Sequence, residues 1–266
     1  QPFWQGAKQL MEFLSSLEIG LTPAEFGYAL LACLLAYIVL GVTGFGSSLV
    51  LVASLVQILP IQEVVAQVVF LDLFGALYLG TKNFSDIAKK EFSWLMIFNA
   101  IGLVIGLTLL IKAPEKPLLA VLAIFVMFNG VSMLIQRNAG HPKPFSKWWG
   151  APLGVFGGIF SSLYGTGGPI FVVYLTHRLE SFKQVRATIA ALIFTNVFSR
   201  AVLLSIAGLL LTGENIGRSL ALIPICYLGL RLGSRIQRSI TPAGFKTIFG
   251  VLLIVAALAL IPKVIG

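Results

Sequence analysis

The sequence predicts an all-α polytopic membrane protein built from two inverted repeats, each a glycine-broken re-entrant helical hairpin followed by three transmembrane helices. Three observations predict it: apolar blocks of bilayer-spanning length, two glycine-rich interruptions at matching places, and the placement of lysine and arginine. Of 266 residues, 58% are hydrophobic and 11% charged, with a mean hydropathy of +0.95. A soluble domain carries about a quarter charged residues. The blocks lack the two-residue alternation of an outer-membrane barrel, so their backbone must be satisfied inside helices. The net charge of +9 resides mainly in short loops between blocks, where membrane topology explains it. No nucleic-acid partner is expected.

Residues 1–24, with Phe3, Trp4 and Phe13 among mixed charges, read as an interfacial amphipathic segment rather than a cleavable signal. Eight apolar segments follow, at 25–59, 62–81, 92–111, 117–136, 149–178, 185–211, 216–234 and 244–262. As one straight helix, 25–59 would be about 52 Å long, against a hydrocarbon core of about 30 Å. GVTGFGSS (Gly41 to Ser48) interrupts it, and YGTGGP (Tyr164 to Pro169) interrupts 149–178. Closely spaced glycines break a helix because they readily take positive φ. The repeats are therefore 25–136 and 149–266, joined by a cytoplasmic linker, 137–148. An offset of 121 pairs Gly44 with Gly165, Gly46 with Gly167, Val64 with Val185 and Ala66 with Ala187. An offset of 127 pairs Gly102 with Gly229, Gly106 with Gly233 and Leu118 with Phe245.

Charge chooses the topology. With every segment crossing once, Lys and Arg divide nine against nine. With both broken segments re-entrant, one face collects Lys82, Lys89, Lys90, Arg137, Lys143, Lys147, Arg178, Lys183, Arg186, Arg231, Arg235, Arg238 and Lys246, thirteen against five, with Arg200 inside a helix. Basic residues accumulate in short cytoplasmic loops, so the hairpin arrangement is expected, with both termini outside. An odd number of crossings per repeat inverts the second relative to the first, a plan common among secondary transporters.

The stretch GFGSSLVLVASLVQILP (Gly44 to Pro60) and its counterpart GTGGPIFVVYL (Gly165 to Leu175) resemble the TauE/SafE sulfite exporter family. The resemblance runs from about residue 25 to 262 and includes the duplicated four-segment layout. It implies a secondary carrier in the cytoplasmic (inner) membrane for sulfite or organosulfonates such as sulfoacetate, coupled to protons. Two departures bear on the anion. Ser47 and Ser48 stand where the family commonly continues with glycine, and Pro169 follows Gly168.

The residues support an anion carrier on their own terms. After each break a half-helix begins whose first N–H groups lack partners and present the positive end of a dipole. Thr43, Gly44, Phe45, Gly46, Ser47 and Ser48 in the first break, and Gly165, Thr166, Gly167 and Gly168 in the second, are the candidate substrate contacts. The alternative is that these small residues only let helices pack closely. Arg200 and Asp72 lie mid-span, where a charge needs a partner or a wet cavity. Arg200 is the candidate anion ligand, with Asn196 one turn before it, and Asp72 the candidate proton-coupling group. The alternative is a mutual ion pair locking two helices. Gln67, Asn99 and Asn129 are candidate interhelical hydrogen bonders.

No cofactor or metal is expected, because His141 and His177 lack ligand spacing, and Cys33 and Cys226 read as buried apolar residues. A passive anion channel and an intramembrane hydrolase using Ser47 are the competing functions, the latter lacking a membrane-embedded histidine base. The expected partners are a small anion, protons and the bilayer, with a homo-oligomer left open.

Overall fold

A computed structural model describes residues 20–79, 86–135, 144–237 and 242–265. Among them are ten α-helices and no strand: α1 (Pro23–Thr43), α2 (Ser47–Leu55), α3 (Ile61–Leu79), α4 (Lys89–Lys112), α5 (Glu115–Ile135), α6 (Gly150–Tyr164), α7 (Gly168–Thr176), α8 (Phe182–Ile206), α9 (Gly213–Ile236) and α10 (Pro242–Ile265). Helices α1, α3, α4, α5, α8, α9 and α10 are long and apolar enough to cross a bilayer. The chain is a multi-pass membrane protein. The expected interfacial segment before residue 20 lies outside the described residues. So do linker residues 137–143, His141, Lys82, Arg137, Lys143 and Arg238.

Local chemistry sets the helix ends. Thr22 caps α1 in a capping box with Glu25, and Pro23 occupies its first turn, where a missing N–H is harmless. At the other end Gly44 takes φ +81° and Gly46 φ +92°. Two left-handed residues within three end α1 and redirect the chain into α2. The second break is built alike at its start, Gly165 at φ +72° closing α6, but Gly167 has φ −67° and Pro169 opens α7. The expected segment 185–211 stops earlier, at Ile206, because Gly208 turns left-handed at φ +73°. The arms of the two broken segments also prove unequal. α1 has 21 residues, about 31 Å, whereas α6 has 15, about 22 Å, and α2 and α7 have nine each.

Both short helices fold back along the arm before them. Tyr28 near the start of α1 donates to Ser54 O near the end of α2 at 3.3 Å. In the second half, Tyr174 near the end of α7 donates to Lys147 O, just before α6, at 3.3 Å. Phe145 N also donates to His177 O at 3.1 Å.

The halves exchange partners: α1 packs on α9 and α6 on α4, while α5 pairs with α10 and α3 with α8. Glycines make the first two contacts close. A Cβ on Gly229 would meet Leu34 O, Tyr37 Cβ and Ile38 N, and one on Gly102 would meet Val155 O, Gly158 Cα and Ile159 N, each neighbour displaced by 121 residues. Gly233 against Ile38 and Gly41, and Gly106 against Ile159 and Ser162, repeat the relation. Helices α1, α2 and α3 are among the most buried, and residues of α4, α5, α6, α8, α9 and α10 join them in the core. Ile124 and Phe128 of α5 and Ile248 and Val255 of α10 are exposed, as lipid-facing residues are.

Candidate functional site

Arg200, in the last third of α8, is 2% exposed, and its Nε and Nη2 have no hydrogen-bond partner. Such an arginine is unusual, because buried donors are nearly always satisfied. Its guanidinium lies against the end of α6: a Cβ on Gly165 would stand 2.9 Å from Nη1 and 2.6 Å from Ser48 Oγ.

Beside it is a cavity of ≈ 60 Å³ whose lining includes Gly44, Phe45, Gly46, Ser47, Ser48, Asp72, Gly165, Thr166 and Gly168. Both breaks therefore meet at one place. The first turns of α2 and α7 contribute to this lining, and neither has a side-chain cap. Ile193 and Val197 of α8 and Pro169 form part of the apolar wall.

Asp72 of α3 is 7% exposed and accepts three hydroxyl bonds: from Ser48 at 2.8 Å, Ser47 at 3.0 Å and Tyr37 at 3.1 Å. No ion pair within 4.0 Å joins it to Arg200; the pairs among the described residues include Arg178–Glu91, Lys183–Asp86, and Arg218 with Glu63 and Glu214. The alternative of a mutual Asp72–Arg200 pair is not formed as a direct contact, though the two buried charges act on each other. Three hydroxyls satisfy the carboxylate oxygens as hydrogen-bond acceptors.

The remaining candidates divide. Phe45 packs over Gly168, and Thr166 lines the cavity. Thr43 turns its hydroxyl to the backbone of its own break, bonding Val39 O at 2.8 Å and Phe45 O, and accepting from Phe45 N at 3.2 Å. Gly167 is sealed against Ser161. Asn196 donates to Leu192 O at 2.9 Å, and its Oδ1, like Gln67 Oε1, is buried without a partner. Asn129, expected to bond between helices, bonds Phe125 O of its own helix at 2.7 Å. Asn99 is fully buried; its Nδ2 faces Met96 Sδ at 3.8 Å, in its own helix. Cys33 and Cys226 are buried and unpaired. His177 stacks on Phe145 at 4.0 Å.

Tyr37 was not foreseen. It sits 35 residues from Asp72 in sequence and reads as one more apolar residue of α1. Among the described residues, no group of three or more His, Cys, Asp or Glu side chains is placed to hold a metal ion.

Chemically, the site offers a guanidinium with two unsatisfied nitrogens, two helix N-termini without side-chain caps and a hydroxyl-bound carboxylate around a space for a few heavy atoms. Such a constellation suits a small anion. Comparison with known proteins is in keeping with this. The family described as "Sulfite exporter TauE/SafE" matches residues 29–260. A "Probable inner membrane transporter protein TsaS" of Comamonas testosteroni is 24% identical over 193 residues, 73% of this chain and 80% of that protein. No solved structure matches.

Proposed function

The chain belongs to the sulfite exporter TauE/SafE family, and on that footing we propose that it is a secondary transporter of a small sulfur oxyanion or organosulfonate. It works in the cytoplasmic membrane by alternating access, coupled to protons through Asp72. One observation carries the reading: Arg200 is buried with unsatisfied nitrogens beside the cavity where two uncapped half-helices meet. Buried guanidinium N–H groups without acceptors are costly, and an arriving oxyanion supplies the missing acceptors. Thr43, Gly167 and Asn196 then position the breaks and Arg200, while Gly44, Phe45, Gly46, Ser47, Ser48, Gly165, Thr166 and Gly168 form the walls.

The fold supports the transport cycle. The two hairpins, each returning toward its own starting face, are taken as re-entrant, and the repeats as inverted. Cross-packing of α1 with α9 and α6 with α4 gives two bodies able to rock about the shared site.

The test is a ligand thermal-shift screen on detergent-purified protein with sulfite, thiosulfate, sulfoacetate and taurine, against carboxylate controls. A ligand at a hundred times its Kd adds about 2.7 kcal/mol of stability. Stabilisation by one or more sulfur anions, and none by carboxylates, is expected. Stabilisation by carboxylates alone would refute the assignment.

A further inference from the structure

Asp72 and Arg200 are both buried and form no hydrogen bond to each other; Asp72 lines the cavity, and Arg200 lies against Gly165, which lines it too. Empty, with the carboxylate ionised, the site carries no net charge. A monovalent anion arriving beside ionised Asp72 would leave one uncompensated negative charge in a low-dielectric interior. A proton arriving alone would leave one uncompensated positive charge. Both states are costly, because desolvated net charge is poorly screened. Arrival of the anion together with one proton restores neutrality.

Hydrogen bonding points the same way. Ser47 and Ser48 are the first two residues of α2, line the cavity, and give their hydroxyl protons to Asp72 Oδ1 and Oδ2. A serine has a single O–H to donate, so neither can serve the carboxylate and an anion at once. Protonation of Asp72 removes the need at one oxygen and frees a donor for the other occupant.

We propose that Ser47 and Ser48 are the coupling residues of the site: they donate to ionised Asp72 when the cavity is empty, and turn to a monovalent sulfur oxyanion when Asp72 is protonated. One anion and one proton therefore bind and cross together, without net charge movement. This rests on the anion-site reading above and adds the sign and ratio of coupling. The proton resides on an Asp72 carboxylate oxygen while the anion is bound, and leaves as the hydroxyls return. The other ionisable groups around Asp72 are Tyr37 and Cys33 of α1, Cys226 of α9 and Arg200 of α8, whose ordinary pKa values lie at about 8.5 or above. α2 carries no charge, and α4 carries its charges only at its ends.

The experiment is calorimetric titration with methanesulfonate, a sulfonate that does not itself titrate near neutrality, in buffers of different ionisation enthalpy at one alkaline pH. Wild type is expected to take up close to one proton per anion, its apparent Kd rising about tenfold per pH unit on the alkaline side. Asp72→Asn, which keeps an oxygen acceptor for the hydroxyls, is expected to bind with no proton uptake and no pH dependence. Adding Ser47→Ala and Ser48→Ala to Asp72→Asn is expected to weaken binding at least tenfold. Proton release, zero uptake in wild type, or unchanged affinity in the triple variant would overturn the proposal while leaving the anion site standing. Absence of methanesulfonate binding to wild type would overturn both.

Discussion

Gly165 stands so near Arg200 that a side chain of even one carbon there would lie 2.9 Å from Nη1. Its φ of +72° places it in the left-handed region as well, so glycine is required for two separate reasons. Gly44, its counterpart in the first repeat, has φ +81° but nothing within 4 Å of the added carbon. One position is demanded by conformation alone and the other by conformation and contact.

The two glycines accordingly separate folding from binding. Gly44→Ala is expected to cost about 1–2 kcal/mol, the left-handed penalty, and, with nothing within 4 Å of the added carbon, to lower anion affinity less than Gly165→Ala does. Gly165→Ala carries that penalty and pushes on Ser48 and Arg200, so affinity should fall at least tenfold. Thermal unfolding with ligand titration of both variants checks this. Equal affinities would place the anion away from Gly165.

Helix contact gives a second comparison. A Cβ on Gly102 would come within 2.1 Å of Val155 O, and one on Gly233 within 2.2 Å of Ile38 O, whereas Gly27 has open space around it. Gly102→Ala and Gly233→Ala should each destabilise by roughly 1–3 kcal/mol, as overpacking does. Gly27→Ala should be neutral or stabilising by up to about 1 kcal/mol. Melting temperatures of the three in one detergent decide the matter.

Glu91 and Arg218 sit 127 residues apart, the offset that relates α4 to α9, and each pairs across the halves with the opposite charge. Glu91 meets Arg178 at 2.7 Å and Tyr174 at 2.6 Å; Arg218 meets Glu63 at 2.7 Å. The Glu91 bond raises the Arg178 pKa above its ordinary value, so the arginine remains charged throughout the accessible range. Glu91→Gln should therefore cost about 1.5–3 kcal/mol, typical of a charged hydrogen bond, with little change in anion affinity. A loss of affinity larger than the loss of stability would give this pair a role in transport.

Topology is tested by accessibility. Lys89→Cys and Gly213→Cys, both exposed positions beginning α4 and α9, are expected to react with an impermeant maleimide from opposite faces of sealed vesicles. Labelling from the same face would contradict the inverted arrangement.

Much of this fold was legible in the residues. Glycines at 44, 46 and 165 announced the breaks because few other residues accept their φ, and the offsets of 121 and 127 reappear as matching contacts of Gly229 and Gly102. Apolar length located the long helices to within a few residues, except where Gly208 ended α8 early. The partnership of Asp72 was not legible. Its three donors come from α1 and α2, up to 35 residues away, and pairing across such distances is decided by how helices pack. Tyr37 gave no polar signal in an apolar run. Nor did sequence reveal that Thr43 would turn into its own loop, since a threonine hydroxyl suits a backbone turn as well as a ligand.

The central claim is that Arg200 awaits an anion, and it is tested most directly by binding to Arg200→Gln in monodisperse detergent-solubilised protein. A glutamine retains hydrogen-bonding capacity but removes the charge. Expected is a loss of sulfur-anion affinity of at least a hundredfold, about 2.7 kcal/mol, while the unliganded protein still folds and melts cooperatively, because Asp72 keeps its three hydroxyl donors. Undiminished affinity, or collapse of the unliganded fold, would show that the guanidinium serves the architecture and not the anion.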